Sequence, residues 1–563
     1  MKKLYIAIAF LMSLTACKKA LDEQPLEKIT EDYVFDARDS VGTQALQVLN
    51  DIYSNLPNGF NRIDGNFLDA ATDDAVSSRV NAAIVNLAQS RISPTINPDD
   101  AWAKYYTGIR KVNQYISKVT VIPNTNVKFW VAEAKALRAI FYFELLKRYG
   151  GIPLLGDRVY TLADNIQVKR NTFAECVNYL VAECDALSPQ LRTEAQINAN
   201  PSDFGRISKG AVLSLKSRVL LYAASPLFNG GVAAGGNAEQ RLVAGYPTYD
   251  VTRWTAAANA AREVINLGSY SLDASFTNVF TARKSNETIL SYLRAVTNDL
   301  EVNNGPVGYG VGSTGQGITS PSQDLVDSYP MLNGQPINES ATYNPANPYA
   351  GRDPRLANTV LTNGTRWLNR NVETFEGGLD KPNRGNQVQT RTGYYLRKFL
   401  GNFTSATQYS TQNHNYPIFR YTEILLNFAE ALNESAGPTT EVYKALTDIR
   451  KRAGITAGAG NLYGLKANMT QNEMRNAIKL ERRIELAFEE HRYWDLRRWK
   501  DAETVLNRNV NGVSITLNSS TSVLSYQSIV ADKTIFSAPK MYLYPIPFAE
   551  TAKNNLLVQN IGW

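Results

Sequence analysis

The residues with the clearest potential for chemistry are three glutamates spaced four positions apart, Glu481, Glu485 and Glu489, in a stretch rich in arginine. Four positions are about one turn of an α-helix, so the three carboxylates would share one face. A retaining glycoside hydrolase needs two carboxylates at about this separation. Structural ion pairs with arginines three or four positions away would use the same pattern, and they would keep the glutamates ionised.

The arginines favour the structural interpretation of these glutamates. A catalytic acid needs apolar surroundings that raise its pKa, whereas nearby arginines lower it. We therefore interpret the glutamates as an ion-pair lattice and predict that the protein is not an enzyme. A secreted glycoside hydrolase that uses Glu481 and Glu485 is the alternative from a different class.

Other residue types offer little chemistry. The chain has two histidines and no zinc signature, nucleophile elbow or Walker loop, so we predict neither a metal nor a cofactor. The glycines from Gly310 to Gly315 match a dinucleotide-binding fingerprint, but no apolar strand precedes them and no helix follows. Cys176 and Cys184 are eight positions apart in a predicted helix, about 12 Å, which is too far for a disulfide. We expect them to be buried thiols.

The third cysteine, Cys17, follows a short apolar run that is typical of a secretory signal at residues 1–16. The sequence Leu14-Thr15-Ala16-Cys17 resembles the lipobox of bacterial lipoproteins, which implies that Cys17 is acylated and that residues 17–35 hold the lipid and a flexible tether. No later run approaches the roughly 20 apolar residues that span a bilayer. We therefore expect a protein anchored to a membrane without crossing it.

The composition of the chain limits the classes of molecule that it is expected to bind. The chain has 563 residues and a net charge of +7, but it lacks a lysine- or arginine-rich block, so we predict no nucleic-acid partner. It contains 30 tyrosines and 7 tryptophans. These side chains combine flat apolar faces with polar edges, which suits both sugar-binding surfaces and helical cores.

Apolar residues recur at helical spacing through most of the chain. Their pattern predicts helices at residues 41–55, 99–119, 128–149, 173–187, 209–224, 254–267, 420–435 and 442–453. A single further helix is predicted over residues 477–500. The fold class is therefore mostly α, a tetratricopeptide-like solenoid of helical pairs, although no strict repeat is legible.

Residues 269–414 differ in composition, being rich in Gly, Asn, Pro, Tyr and Thr. We predict an irregular, loop-rich insertion with small β-strands at 287–293 and 394–399, projecting from the solenoid. It separates an N-terminal helical part, residues 36–268, from a C-terminal part, residues 415–563, that completes the helical core. Binding residues concentrate on loops held by a rigid scaffold, so this insertion is a candidate ligand-binding region.

Several motifs, in order along the chain, resemble those of the SusD/RagB family of outer-membrane nutrient-binding lipoproteins. They are AEAKALRAIFYFELLKRYGGIPLL, LSLKSRVLLYAASP, RYTEILL, ERRIELAFEEHRYWDLRRW and the terminal PIP…QNIGW. The resemblance implies a lipid-anchored, cell-surface protein of the outer membrane in a Gram-negative bacterium of the Bacteroidetes type. Such a protein would capture an oligosaccharide, or a peptide as in RagB-like relatives, and deliver it to a SusC-like TonB-dependent transporter. An inert tetratricopeptide adaptor remains a further alternative.

The resemblance also implies that ligand contacts come from two regions, the loop at residues 59–98 and the insertion, without identifying single residues. Sugar binding relies on aromatic faces and on polar side chains that hydrogen-bond hydroxyls. The candidates that meet this requirement are Phe67, Asp69, Asp73, Asp74, Arg79, Asn81, Tyr292, Arg294, Asn298, Tyr309, Tyr329 and Trp367. Asp73 and Asp74 could instead cap a helix, bind a cation or pair with Arg79. Trp102 and Trp130 lie on apolar stripes and are expected in the core.

Overall fold

The computed structural model describes residues 31–161, 163–231, 235–384 and 388–563. The predicted signal peptide, Cys17 and most of the predicted tether lie outside the described residues. The α-helices are α1 Glu31–Val34, α2 Thr43–Tyr53, α3 Ile84–Ala88, α4 Trp102–Lys118, α5 Val127–Tyr149, α6 Phe173–Leu187, α7 Glu194–Asn198, α8 Lys209–Ala224, α9 Ala238–Ala244, α10 Thr252–Asn266, α11 Asn278–Thr281, α12 Asp299–Asn304, α13 Gln323–Ser328, α14 Pro354–Thr359, α15 Tyr421–Ala436, α16 Thr440–Arg452, α17 Gln471–Glu485, α18 His491–Arg498, α19 Ala502–Val505 and α20 Phe548–Lys553.

The strands form two-stranded antiparallel sheets, pairing as β1 with β3, β2 with β8, β4 with β7, β5 with β6 and β9 with β10; all are short except β9 and β10, which form a long hairpin. Their bounds are β1 Ala75–Ser77, β2 Thr288–Tyr292, β3 Thr319–Pro321, β4 Val360–Leu361, β5 Arg366–Trp367, β6 Arg370–Asn371, β7 Tyr395–Leu396, β8 Tyr416–Arg420, β9 Asn509–Asn518 and β10 Val523–Lys533. Short 3₁₀ turns occur at Leu68–Ala71, Val119–Val121, Pro201–Asp203, Ala459–Asn461 and Lys540–Tyr542.

The long helices form one continuous stack, which confirms the predicted solenoid of helical pairs. Helix α4 packs on α5, α5 on α6, α6 on α8, α8 on α10, and α10 on α15. Helix α5 is buried on nearly all sides after its first turn, as its apolar and alanine-rich faces require in the middle of a stack. Trp102 and Trp130 lie in the core as expected, and so do the thiols of Cys176 and Cys184.

The segment between α10 and α15 packs into this body and does not project from it. Its side chains Leu325, Val326, Trp367 and Tyr395 belong to the same hydrophobic core as the helices. Strand β2 lies near the start of this segment and β8 lies at its end. Because these two strands pair, the two ends of the segment lie side by side at the helical stack. The loops are consequently fixed against the helical scaffold.

The prediction of one helix over residues 477–500 is wrong, because the chain breaks between α17 and α18. Phe488 and Glu490 have φ values of 62° and 63°, which a continuous helix cannot contain. Other segments satisfy the backbone groups that the break frees. The Phe488 N–H donates to Asp69 Oδ1 at 2.9 Å, and Lys398 Nζ donates to the carbonyls of Glu485 and Ala487 at 3.0 and 2.9 Å.

The three spaced glutamates form a buried ion-pair lattice, which confirms the structural interpretation. Glu481 accepts from Arg355 at 2.6 Å and from Arg450 at 2.8 Å. Glu489 accepts from Arg420 at 2.7 Å, and it also pairs with Lys398. These partners come from other segments, and not from the same stretch as the sequence pattern suggested.

Glu485 is the central member of this lattice. Its carboxylate accepts from Arg355 at 2.9 Å and from Arg420 at 3.0 Å, and it also contacts Arg452. Burial alone would raise the pKa of Glu485, but the charges of Arg452, Arg420 and Arg355 outweigh this effect and hold the pKa below its ordinary value.

We expect Glu485→Gln to destabilise the protein by about 3–5 kcal/mol, because it leaves buried arginines without their counter-charge. Urea unfolding followed by circular dichroism would measure the change. The matched control is Glu263→Gln, which removes a half-exposed carboxylate that pairs with Lys216 and should cost less than about 1 kcal/mol. Equal stability of the two variants would contradict the central role of Glu485.

Candidate functional site

A short β-ladder brings the two predicted ligand-binding regions together. Strand β1, in the loop at residues 59–98, pairs with β3 from the insertion, with Ala75 opposite Pro321 and Ser77 opposite Thr319. Just beyond the ladder, Ser78 Oγ donates to the Gly317 carbonyl at 2.6 Å. Segments more than 200 residues apart in sequence therefore leave the scaffold side by side.

The residues that follow β1 and precede β3, residues 79–81 and 311–316, form a mostly exposed surface, which we call the ladder-end surface; Arg79 and Gln316 are half-buried in it and Gly315 is buried. Its Arg79 guanidinium donates to the side-chain oxygen of Gln316 across the two segments. Val80 and Val311 are 60% and 66% exposed. Asn81 is also exposed, so the 79–81 segment presents one polar and one apolar side chain to solvent.

Backbone hydrogen bonds fix the 311–316 segment at this place. The Gly310 N–H donates to the Ala406 carbonyl at 2.7 Å, and the Gln316 N–H donates to the Val302 carbonyl at 2.8 Å. Gly317 has a φ of 51°, and a side chain there would collide with the ring of Tyr395. Glycine therefore permits the turn that presents Gln316 beside Arg79.

The ladder-end surface offers groups that suit polyhydroxylated ligands. Arg79 carries several N–H donors, and the amides of Asn81 and Gln316 both donate and accept. Among the described residues no carboxylate forms an ion pair with Arg79, although the amide oxygen of Gln316 orients its guanidinium. Exposed methyl groups of Val80 and Val311 can pack against the C–H faces of a sugar ring.

An aromatic cluster lies behind this surface. Tyr409 is half-buried, and its ring centroid is 6.1 Å from that of Trp367 and 5.8 Å from that of Phe403. Its ring packs against Gly310, at the base of the 311–316 segment. Sequence analysis missed Gln316, Phe403 and Tyr409. The glycine-rich composition around 311–317 was the available signal for a fixed turn.

Tyr309 and Trp367 lie in the interior, which contradicts their predicted role in ligand contact. Their rings stack with centroids 4.9 Å apart, and Arg370 covers Tyr309 at 3.7 Å from its centroid. The Trp367 Nε1–H donates to the carbonyl of Gly401 at 3.2 Å. These groups are used within the fold and are not available to a ligand.

Phe67, Asp73 and Asp74 are also buried, and the same correction applies to them. Phe67 stacks on Phe399 with centroids 5.7 Å apart. Asp73 pairs with Arg492 at 2.9 Å, and Asp74 pairs with Arg483 at 2.7 Å. These contacts show the two aspartates as partners of core arginines, neither helix caps nor partners of Arg79.

The remaining candidates occupy different places. Tyr329 and Asp69 are buried. Arg294 is half-buried and donates to Asp299 at 2.6 Å, and Asn298 lies just before α12. Tyr292 lines a groove beside Phe204 whose lining includes no residue of the ladder-end surface. Of the predicted residues, the structure brings Arg79 and Asn81 together on one surface.

The hydrolase alternative requires carboxylates that a substrate can reach. Glu481 and Glu485 are fully enclosed, and arginines lower the pKa of both carboxyls against the effect of burial. They are therefore neither accessible nor poised to donate a proton. In the described ranges, no group of three histidine, cysteine, aspartate or glutamate side chains is placed to hold a metal ion.

No helix in the described part of the chain combines the length and the apolar character needed to cross a bilayer.

Two family models match this chain. A model described as the SusD family matches residues 276–563, and a model described as starch-binding, associating with outer membrane, matches residues 21–221. The first covers just over half of the chain, and residues 222–275 lie between the two matches.

Curated relatives from Formosa agariphila are similar in sequence. SusD-like protein P25 is 23% identical over 526 residues, which are 88% of this chain and 90% of the relative. SusD-like protein P2 is 34% identical over 150 residues, and this match spans 26% of each chain.

Solved structures extend the comparison to the fold. A SusD-like protein from Bacteroides fragilis is 25% identical, with a TM-score of 0.77 over 96% of this chain and 100% of that one. Surface glycan-binding protein A from Bacteroides fluxus is 21% identical, with a TM-score of 0.61 over 93% of this chain and 100% of that one.

The buried Asp69 carboxyl predicts a pH dependence of stability. Burial and the neighbouring charge of Asp74 raise the pKa of Asp69 to about 8. The folded state therefore holds a proton that the unfolded state, with a pKa near 3.9, releases. The contribution of Asp69 to the free energy of unfolding is fully present below about pH 4 and decreases as pH rises to about 8.

We expect Asp69→Asn to remove this decrease, because its amide is neutral throughout and its oxygen can still accept from the Phe488 N–H. Thermal unfolding of both proteins from pH 5 to 9 would measure it. The matched control, exposed Asp51→Asn, should keep the wild-type slope. If Asp69→Asn left the slope unchanged, a raised pKa for Asp69 would be refuted.

Proposed function

We propose that this chain, which belongs to the SusD family, binds an oligosaccharide at its ladder-end surface and is held by a lipid at the bacterial outer membrane. The observation that carries this proposal is the convergence of residues 79–81 and 311–316, where the half-buried Arg79 and Gln316 meet beside the exposed Val80 and Asn81. The description of one matching family model, starch-binding and associating with outer membrane, supports the glycan ligand and the outer-membrane location. A structural relative named as a surface glycan-binding protein supports the ligand class.

In this proposal Arg79 and the two amides of Asn81 and Gln316 hydrogen-bond adjacent hydroxyls of a sugar. Val80 and Val311 cover the less polar face of the ring. Because β1 and β3 are anchored to the core, the donors are held in place before binding, which limits the entropy lost on association.

The captured glycan would then pass to a SusC-like TonB-dependent transporter in the same membrane. The chain itself would act as a binder and not as an enzyme. The enclosure of Glu481 and Glu485 supports this part of the proposal, since they are the only carboxylate pair that the sequence pattern suggested for hydrolysis.

We expect Arg79→Ala and Asn81→Ala each to weaken oligosaccharide binding by about tenfold, since each removes hydrogen bonds worth roughly 1–2 kcal/mol. Isothermal titration calorimetry with maltoheptaose and laminariheptaose would measure the change. The control is Arg91→Ala, which removes an exposed arginine outside the ladder-end surface. Full affinity in both variants, or binding of peptides alone, would contradict the proposal.

We expect Cys17→Ala to move the protein from the membrane fraction to the soluble fraction, because the thiol that would carry the acyl chains is absent. Fractionation of cells followed by immunoblotting would show this. The matched control is Cys184→Ala, which removes a buried thiol and should leave the protein with the membrane. Membrane retention of the Cys17 variant would argue against a lipid anchor at this residue.

A further inference from the structure

A groove between the 194–206 segment and the 269–293 segment is narrowed where Leu293 packs against Gly205. It consists of two hollows of about 500 and 370 Å³. Phe204, Gly205 and Arg206 line both hollows on one side, and Ser291 and Leu293 line both on the other. Volumes of this size are typical of small-ligand sites. None of the lining residues belongs to the ladder-end surface.

Two exposed cations stand at the larger hollow. The Arg283 guanidinium lies 5.3 Å from the centroid of the Phe204 ring, and Lys284 Nζ lies 4.9 Å from it. Arg283 also donates to the side-chain oxygen of Asn415 at 2.8 Å, which orients it. Within the described ranges, neither cation has a carboxylate oxygen within 4.0 Å. Their charges are therefore available to a ligand.

The acidic side chains of the groove are already engaged. Glu194 accepts from the Tyr270 hydroxyl, and its burial raises the pKa of its carboxyl. Asp273 accepts from the Ser275 N–H at 3.0 Å and from the Ser285 hydroxyl at 2.8 Å.

The third cation of the groove, Arg206, is neutralised by a buried carboxylate. Arg206 donates to the buried carboxylate of Glu133 at 3.1 Å. The positive charge that faces the groove is that of Arg283 and Lys284, opposed in part by Asp273, whose hydrogen-bond donors are neutral. It attracts an anionic group and disfavours a cationic one.

The rest of the groove suits a sugar ring more than a simple ion. Phe204 is half-buried at the junction of the hollows, with Arg283 and Lys284 over its ring, and Tyr292 adds an aromatic side chain to the smaller hollow. Among the described residues the Tyr292 hydroxyl has no recorded hydrogen-bond partner, so it can bind a ligand hydroxyl. Aromatic faces beside polar groups are the usual surroundings of bound carbohydrate.

We propose that this groove is a second carbohydrate site, which binds an anionic oligosaccharide through the carboxylate of a uronic acid or a sulfate ester held between Arg283 and Lys284. The sugar ring that carries the anion packs beside Phe204, and the next ring extends toward Tyr292. The site is independent of the ladder-end surface, so either can exist without the other.

Calorimetric titration of the full chain tests this site. The probes are trigalacturonate, a sulfated galactose disaccharide, the neutral galactotriose, inorganic sulfate and triglutamate. The test variant is Arg283→Gln with Lys284→Gln. The matched control is Lys444→Gln with Lys466→Gln, which removes the same charge from exposed lysines outside the groove.

We expect saturable binding of trigalacturonate or of the sulfated disaccharide, weakened at least tenfold in the test variant and unchanged in the control and in Arg79→Ala. Binding of one of these two probes alone would identify the acid group. Galactotriose and inorganic sulfate should bind at least tenfold more weakly. Galactotriose lacks the anionic group, and inorganic sulfate lacks the sugar rings.

The proposal is overturned if neither anionic sugar binds, if the test variant binds as well as the control, or if triglutamate binds more tightly than the sugars. Circular dichroism would show whether the double variant folds. If it does not, Lys284→Gln alone and Phe204→Ala test the site in its place, and each is expected to weaken binding of the anionic sugar. Loss of neutral-glycan binding in Arg79→Ala tests the ladder-end surface separately.

Discussion

The structure depends on one buried carboxylate that several distant segments must reach together. Glu485, at the end of α17, contacts Arg355 from the segment between α10 and α15, Arg420 at the end of β8, and Arg452 at the end of α16. A buried charge that lacks its partner is costly, so these segments are stable only when assembled. The irregular segment is therefore bound to the helices by charge as well as by apolar packing.

The break after Glu485 links this lattice to the ladder-end surface. Phe488 is held by Asp69, and Asp73 and Asp74, a few residues on, bind Arg492 and Arg483 on either side of the break. Strand β1 begins at the next residue, Ala75. The aspartates that resemble ligand contacts in the sequence thus have a different use: they fix the position from which Arg79 and Asn81 extend.

Sequence periodicity predicted the helices well because their signal is local. The bounds of α6 and α8 agree with prediction, and α6 begins with a capping box at Thr172. The break between α17 and α18 could not be predicted, because Asp69 and Lys398 stabilise it from remote parts of the chain. Irregular segments lack a period that separates buried from exposed aromatics, which is why Tyr309 and Trp367 were misplaced.

The distribution of charge explains why surface cations matter in this fold. Inside, many arginines are paired with carboxylates, as Arg498 is with Glu430 and Asp495, while others, such as Arg497, donate to backbone carbonyls. Positive charge is also carried by exposed groups such as Arg283 and Lys284. At physiological salt the field of most exposed charges is screened within about 8 Å. Two exposed cations flank an aromatic ring in a concave surface at Phe204. There the low-dielectric walls of the groove preserve the electric field of the cations, so their charge can select an anionic ligand.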